Sequence, residues 1–205
     1  MITMNADVKK FTRFCDSEFG KRVMEKETWY IYNELKGYKK ILDVGCGIGS
    51  FEQNLPSLET IGLDSSREML EEAKKRSDKA FVLGNAEHLG FKDSTFDAVF
   101  AVTTLEFIDN YQKVIEEMAR VTKPCGKVLV MMLNPKSEYF REKVEKPDAY
   151  FRRIKHTNPR EVRNYISRFY SVIEEEKFLG IKGQHIFDTN DERYAGLYVV
   201  VGIKR

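Results

Sequence analysis

A chain of 205 residues with 34 Lys and Arg against 32 Asp and Glu carries a formal net charge of only +2, so nothing in its electrostatic balance demands a nucleic-acid or membrane-surface partner. Its 42% apolar and 12% aromatic residues suffice for a sizeable core and exclude wholesale disorder, while no apolar run approaches the ~18 residues of a membrane span. The N-terminus, Met1-Ile2-Thr3-Met4-Asn5-Ala6-Asp7, lacks the basic start and apolar run of a signal peptide. The cysteines are odd in number (Cys15, Cys46 and Cys125) and none has Cys-x-x-Cys spacing. That pattern argues against a disulfide framework and a zinc site, and for a reducing, cytoplasmic compartment. The length predicts a single domain over residues 1–205.

Residues 7–35 show apolar positions at helical spacing, Val8, Phe11 and Phe14 and then Trp29, Ile31, Tyr32 and Leu35. They predict two helices, broken near Ser17–Gly20 and stopped at Gly37. Lys40–Val44 reads as a buried strand running into a glycine-rich loop, and Phe51–Leu55 as a short helix stopped by Pro56. Thr60–Leu63 is a second strand ending at Asp64. Ser65 or Ser66 then caps a helix over Arg67–Ser77, with Glu68 placed for a capping box. Ala80–Leu83 and Phe96–Val102 are further strands, Asp109–Thr122 is a helix, and Lys127–Leu133 is a fifth strand after the Pro124-Cys125-Gly126 turn. This alternation predicts an α/β fold, a doubly wound parallel sheet with helices on both faces. Residues 136–163 hold nine Lys or Arg against five Asp or Glu, with Tyr139, Phe140, Tyr150 and Phe151 interleaved. They read either as a solvated helical excursion or as a cap. A helix from Pro159 to about Phe169, capped by Asn158, and two β-rich segments, Ser171–Phe178 and Tyr194–Ile203, close the chain. The resulting divisions are N-terminal helices (1–36), a cofactor-binding core (37–134), a substrate cap and helix (135–169) and closing strands (170–205).

The chemistry is concentrated in Asp43-Val44-Gly45-Cys46-Gly47-Ile48-Gly49-Ser50. A glycine-rich turn between a strand and a helix lets a ligand approach the backbone N–H groups. The dinucleotide fingerprint G-x-G-x-x-G would need glycine at position 50, where Ser50 stands, and Asp43 would sit badly beside a pyrophosphate. An acid before Gly-x-Gly-x-Gly suits a ligand with a cationic amine, an amino-acid-bearing nucleoside. Asp64, at the end of the second strand, can accept bonds from both ribose hydroxyls. Gly84-Asn85-Ala86-Glu87 follows the third strand, where Asn85 and the backbone of Ala86 and Glu87 can read an adenine edge.

With these motifs in order, the chain resembles the class I S-adenosylmethionine-dependent methyltransferases, in particular the methyltransferase type-11-like group. Asp43–Gly49 is similar to the family's first motif, Asp64 to the acid after its second strand, and Gly84–Glu87 to its "G-D-A-E" segment. Phe96-Asp97 is similar to its "F-D" strand start, and Arg120–Gly126 to its "R-V-L-K-P-G-G" turn. Asn85 departs from the commoner Asp, and Cys125 from a usual Gly. The resemblance implies a Rossmann-like, seven-stranded, mostly parallel sheet whose last strand is antiparallel. It implies S-adenosyl-L-methionine as cofactor, held by Asp43, Gly45, Cys46, Gly47, Gly49, Asp64, Ser65, Met69, Asn85, Ala86, Glu87, Val102 and Thr103. The methionine end is placed over Gly45–Gly49 and against Val102–Thr103.

The function expected is methyl transfer to a small-molecule acceptor by in-line displacement at the sulfonium methyl. An activated leaving group makes positioning in a dry pocket the main task and a general base optional. No metal is expected. Glu106, after the fourth strand, and His156, beside the cap, are the candidate catalytic residues, while Glu27 and Tyr30 can close over the methionine end. Thr103-Thr104-Leu105-Glu106 lacks the [D/N/S]-P-P-[Y/F/W] loop of amide and exocyclic-amine methylating enzymes. The competing readings are an RNA methyltransferase, favoured only by the net +4 (9 − 5) of residues 136–163, a non-catalytic S-adenosylmethionine-binding module, and a nucleotide-cofactor oxidoreductase disfavoured by Ser50 and Asp43. No nucleic-acid or membrane partner is expected, and the chain is expected as a monomer or homodimer.

Overall fold

The computed structural model describes residues 6–145 and 150–205. Helices α1 (Ala6–Asp16) and α2 (Glu18–Leu35) meet at Ser17, whose hydroxyl accepts the Gly20 N–H at 3.0 Å and so starts α2 where the sequence breaks. Strand β1 (Ile41–Val44), helix α3 (Ser50–Asn54), strand β2 (Thr60–Asp64), helix α4 (Arg67–Arg76) and strand β3 (Ala80–Leu83) follow. Ser66, not Ser65, caps α4 by accepting the Met69 N–H. Glu68 therefore falls one position short of a capping box and accepts the Ser66 hydroxyl instead. Strand β4 (Phe96–Val102), helix α5 (Tyr111–Val121), strand β5 (Thr122–Leu133), helices α6 (Glu138–Val144) and α7 (Pro159–Ile166), and strands β6 (Tyr170–Lys182), β7 (His185–Phe187) and β8 (Ala195–Lys204) complete the order.

All these strands share one sheet, ordered β3-β2-β1-β4-β5-β8-β6-β7. The first five strands are parallel, and β8 runs antiparallel to both β5 and β6. The fold is the expected Rossmann-like sheet with eight strands rather than seven. The extra one arises because β6 runs on to Lys182 and folds back at Gly183, where φ is +59°, into the short edge strand β7. Glycine at the first position of a two-residue hairpin loop is what that turn requires.

Side-chain alternation splits the apolar run of β4 between two cores. Ala98, Phe100 and Val102 face α1, α2 and α3, while Val99 and Ala101 face α5 and α7. The order of connections reverses between β1 and β4, and the crevice past the carboxyl ends of those two strands is where an open α/β sheet receives its ligand. Phe100, fully buried, meets the ring of Phe51 on α3 edge-to-face at 6.0 Å, so the central strand supports the helix that follows the glycine loop. Truncating Phe100 to Ala is expected to destabilise the fold by roughly 3–5 kcal/mol, read as a lower urea midpoint with an unchanged slope.

Candidate functional site

The loop between β1 and α3 can be built only from glycine at its three turning points. Gly45, Gly47 and Gly49 take φ of +84°, +54° and +70°, a region L-residues avoid. The space is closed as well. A Cβ on Gly45 would lie 2.4 Å from the Thr104 side chain, and one on Gly49 would lie 2.8 Å from the Phe81 ring and 2.9 Å from Ala73. The N–H groups of Gly45 and Cys46 donate to the Leu63 carbonyl at 2.7 and 3.0 Å, and that of Gly47 donates to Asp64 Oδ2 at 2.9 Å. The other oxygen of Asp64 accepts the Ser66 N–H at 2.8 Å. Each Asp64 oxygen is thus fixed by one backbone donor and retains further acceptor capacity. Phe11 on α1 reaches the space over Gly47, 3.3 Å from where a Cβ would stand, so the first helix roofs the loop.

Beneath the loop lies an acidic pair. Asp43 and Glu52 are each only 1% exposed, and their carboxyls lie within hydrogen-bonding reach of each other, where a proton held by one is shared with the other. Burial drives the Asp43 carboxyl well above the usual carboxylate range, and the neighbouring Glu52 charge drives it further; burial pushes Glu52 up to about 7. Two buried carboxyls beside the glycine loop suit a ligand that brings a positive charge near them. The sequence reading did not find Glu52. An acid in the first turn of a helix is ordinarily explained by the helix dipole, and only packing sets this one against Asp43.

Most of the other predicted binding residues gather around the same crevice. Val102 is buried at the end of β4, and Thr103 follows at φ +46° with its N–H donating to the Met131 carbonyl at 2.8 Å. A non-glycine residue in that region is strained backbone next to the glycine loop. The Thr104 hydroxyl donates to the Val102 carbonyl at 3.0 Å, which turns its side chain against Gly45. Ser65 is exposed and Met69 half-buried at the start of α4. Past β3, the exposed Asn85 accepts the Glu87 N–H at 2.9 Å in a tight turn, with Ala86 buried behind it. The segment after this turn is held by Arg120, which donates to the carbonyls of Leu89 and Phe91 and pairs with Asp93 at 2.7 Å.

The two candidate catalytic residues are set into the framework. Glu106 is 3% exposed; its Oε1 accepts the Leu133 N–H at 2.9 Å, and its main-chain carbonyl accepts the N–H groups of Lys155 at 2.8 Å and His156 at 3.3 Å. It ties the ends of β4 and β5 to the segment after α6, and burial pushes its carboxyl up to about 7. His156 Nε2 lies 2.8 Å from the Ile108 carbonyl and 3.1 Å from that of Asp109, and its ring stands edge-on to Tyr111. Both carbonyls accept, so Nε2 carries the proton. No group of three or more His, Cys, Asp or Glu that could hold a metal ion occurs among the described residues.

A methyltransferase-domain family profile matches residues 42–130, the stretch holding the glycine loop, Asp64, Asn85–Glu87 and Thr103. An uncharacterized protein of Methanocaldococcus jannaschii is 33% identical over 147 residues, 64% of this chain and 70% of that protein. The chain belongs to the S-adenosylmethionine-dependent methyltransferases. The cofactor of the family is S-adenosylmethionine. The demethylmenaquinone methyltransferase of Thermotoga maritima is 35% identical over 112 residues, covering 52% of this chain, and the chain spans only 49% of that relative's length. The fold as a whole is shared with a solved Thermotoga maritima S-adenosylmethionine-dependent methyltransferase, described as a possible histamine N-methyltransferase. The two superpose with a TM-score of 0.78 at 22% identity, over 97% of this chain and 96% of that one.

In this chain Glu27, like Asp43, Glu52 and Glu106, titrates above its ordinary range because burial disfavours the charge, reaching about 8. Between about pH 4.5 and pH 8 the folded chain therefore holds protons that the unfolded chain has released, and stability falls as pH rises through that window. Calorimetry of the ligand-free protein should show a melting temperature that declines steadily across that range. A flat or rising profile would mean that these carboxyls are ionised and paired.

Proposed function

We propose that the chain transfers a methyl group from S-adenosylmethionine to a small-molecule acceptor. The observation that carries this reading is the glycine cradle at the sheet's switch point. It has free acceptor capacity at Asp64 and a buried pair of carboxyls, Asp43 and Glu52, beside it. Gly45, Cys46, Gly47 and Gly49 present backbone to the methionine end, with Val102 and Thr103 beside them, and Asp64 receives the ribose hydroxyls. Ser65 and Met69 flank that contact, and Asn85, Ala86 and Glu87 border the adenine. The bound cofactor supplies a methyl group on a cationic sulfur, an electrophile that is already activated.

What is left to the protein is to hold the acceptor and exclude water. A cap formed by α1, α2 and the segment after β5 serves that purpose. Tyr139 and Phe140 on α6 are 8% exposed rather than turned to solvent; the Tyr150 side chain lies outside the described residues. Tyr139 packs against Phe19 at 6.0 Å and against Phe151 at 5.9 Å, joining α6 to the N-terminal helices. Several cations of the basic segment are engaged with this chain's own acids, Lys136 with Glu192, Lys155 with Asp109 and Arg163 with Glu175. That engagement supports a small acceptor over an RNA strand, as does the likeness to a demethylmenaquinone methyltransferase.

Asp64→Asn cannot accept the Gly47 and Ser66 N–H groups through its amide nitrogen, and it loses a charged acceptor for the ribose. Affinity for S-adenosylhomocysteine, measured by titration calorimetry, is expected to fall ~10- to 100-fold. Unchanged affinity would remove Asp64 from the site. Gly45→Ala, which meets Thr104 and requires a strained φ, should lose more.

Because Glu106 and His156 brace the framework, Glu106→Gln and His156→Ala should each lower kcat less than about tenfold, below the ~10²–10⁴ typical of a lost general base. The assay is S-adenosylhomocysteine release on the best acceptor from a panel of amines, thiols, phenols and carboxylates. A thousandfold loss in either variant with cofactor affinity intact would make that residue the base.

A further inference from the structure

On one side the sheet ends at β3, which has β2 as its single neighbour among the described residues. Its residues, Ala80, Phe81, Val82 and Leu83, are all apolar. Ala80 is exposed, Val82 is 36% exposed and Leu83 47%. Edge strands of monomeric proteins are ordinarily blunted by a charge, a proline or a bulge, and β3 carries none of these within its length. The opposite edge, β7, is a shorter strand of three residues flanked by contacts from α2. There Arg22 donates to the Gln184 carbonyl at 2.9 Å, and Lys26 pairs with Asp188 at 2.8 Å.

The pairing with β2 also fixes which backbone groups of β3 are left over. Gly62 lies beside Phe81 and Asp64 beside Leu83 in a parallel ladder, and the Gly84 N–H donates to the Asp64 carbonyl at 3.0 Å. Successive residues of a strand turn their amide groups to opposite sides. Val82 and Gly84 therefore face β2, while the N–H and C=O groups of Phe81 and Leu83 point out of the sheet.

A second copy of the chain can satisfy all of those groups. The antiparallel register that does so has its two-fold axis at Val82. Phe81 then exchanges both backbone bonds with Leu83 of the second copy, and Leu83 does the same with Phe81 of the second copy. Val82 meets its own counterpart as a non-hydrogen-bonded pair, the closer kind for side chains. On the other face Leu83 lies opposite Phe81. Both of the large exposed side chains thus gain an apolar partner.

The charges at the two ends of the strand favour the same arrangement. At its start are Lys74, exposed in the last turn of α4, and Lys79, whose ammonium donates to the Pro56 and Leu58 carbonyls at 2.9 and 2.6 Å, against the exposed acid Asp78. Just past its end is Glu87. None of these forms an ion pair among the described residues. An antiparallel two-fold brings the Lys79 end of each copy to the Glu87 end of the other, whereas a parallel pairing would set like ends together.

We propose that β3 is a self-association edge, at which two copies of this chain pair antiparallel across Val82 into one continuous sheet. The contact is isologous and closes with two copies. It sets the Asn85–Glu87 turn of each chain beside Lys79 of the second copy.

Sedimentation equilibrium of the full chain over about 5–500 µM reads the association, a range set by the weakness of so small an interface. The wild-type mass should rise from one chain toward two, and Val82→Lys should remain monomeric throughout with an unchanged melting temperature. If Val82→Lys does not fold, Leu83→Glu is read by the same criterion. The register is tested by oxidation in a Cys125→Gly background, because Cys125 is the exposed native thiol while Cys15 and Cys46 are buried, and glycine takes the +59° φ of that position freely. Val82→Cys should form an intermolecular disulfide, since a non-hydrogen-bonded pair holds its Cα atoms ~4.5 Å apart, within the ~4.4–6.8 Å that a disulfide spans. Ala80→Cys and Leu83→Cys should not link, because the axis separates each from its counterpart along the strand. A wild type that stays monomeric overturns the proposal and leaves the edge to a strand of another protein. A dimer that survives Val82→Lys overturns it in favour of another surface. A Val82→Cys that does not link, or an Ala80→Cys or Leu83→Cys that links as readily, overturns the two-fold at Val82.

Discussion

The geometry of the site depends on one constraint, the passage of the chain from β1 to α3 through three left-handed backbone positions. Because Gly45, Gly47 and Gly49 lack side chains, Thr104, Phe11 and the Phe81–Ala73 pair can close on the loop from three directions. Those contacts place the end of β4 beside the loop, α1 above it and α4 with β3 beneath it. The Gly47 N–H is fixed by Asp64, so the carboxylate that ends β2 and the turn that follows β1 form one rigid unit. A shift in the loop would be felt at once by the end of β4, by the roof helix and by the second strand, which is why a short segment organises elements drawn from most of the chain.

Around that loop the protein holds its charges in an unfavourable state. Asp43, Glu52, Glu27 and Glu106 are all buried and all raised in pKa, with burial the largest cause for each. Elsewhere the carboxylates behave differently. Asp16 meets Arg76 through two bonds of 3.0 and 3.1 Å, and Asp97 meets Lys123, and both titrate below their ordinary range because of those partners. Asp16 and Asp97 are held charged by cations, whereas burial holds the interior acids toward their neutral forms at a cost to stability. Proteins tolerate such local instability at functional sites when the surrounding structure fixes it.

Much of this was legible in the sequence. The βα alternation appears directly in the spacing of apolar runs, and the parallel sheet follows from it. The glycine loop, Asp64 at the end of β2 and the order of motifs mark the crevice proposed for the cofactor, since each is a local pattern set by backbone conformation. The helix start at Ser17 was equally local. The capping box expected at Glu68 fails because Ser66 rather than Ser65 caps α4, and the eighth strand escapes the pattern because β6 folds through a glycine turn into β7. Glu106 and His156 drew attention as isolated polar residues in the right segments, and only their carbonyl and amide partners reveal them as braces.

The sequence by itself therefore determined the fold class, the family and the position of the glycine loop, because those depend on periodicity and on glycine's access to positive φ over short stretches. The tertiary structure alone decided that Glu52 sits against Asp43, that Thr104 limits Gly45, that Phe11 covers Gly47 and that Tyr139 packs against Phe19. These pairings join residues carried on different elements, and no local rule fixes them. They exist only once the sheet order has brought β1 beside β4 and folded the N-terminal helices and the segment after β5 over the same end.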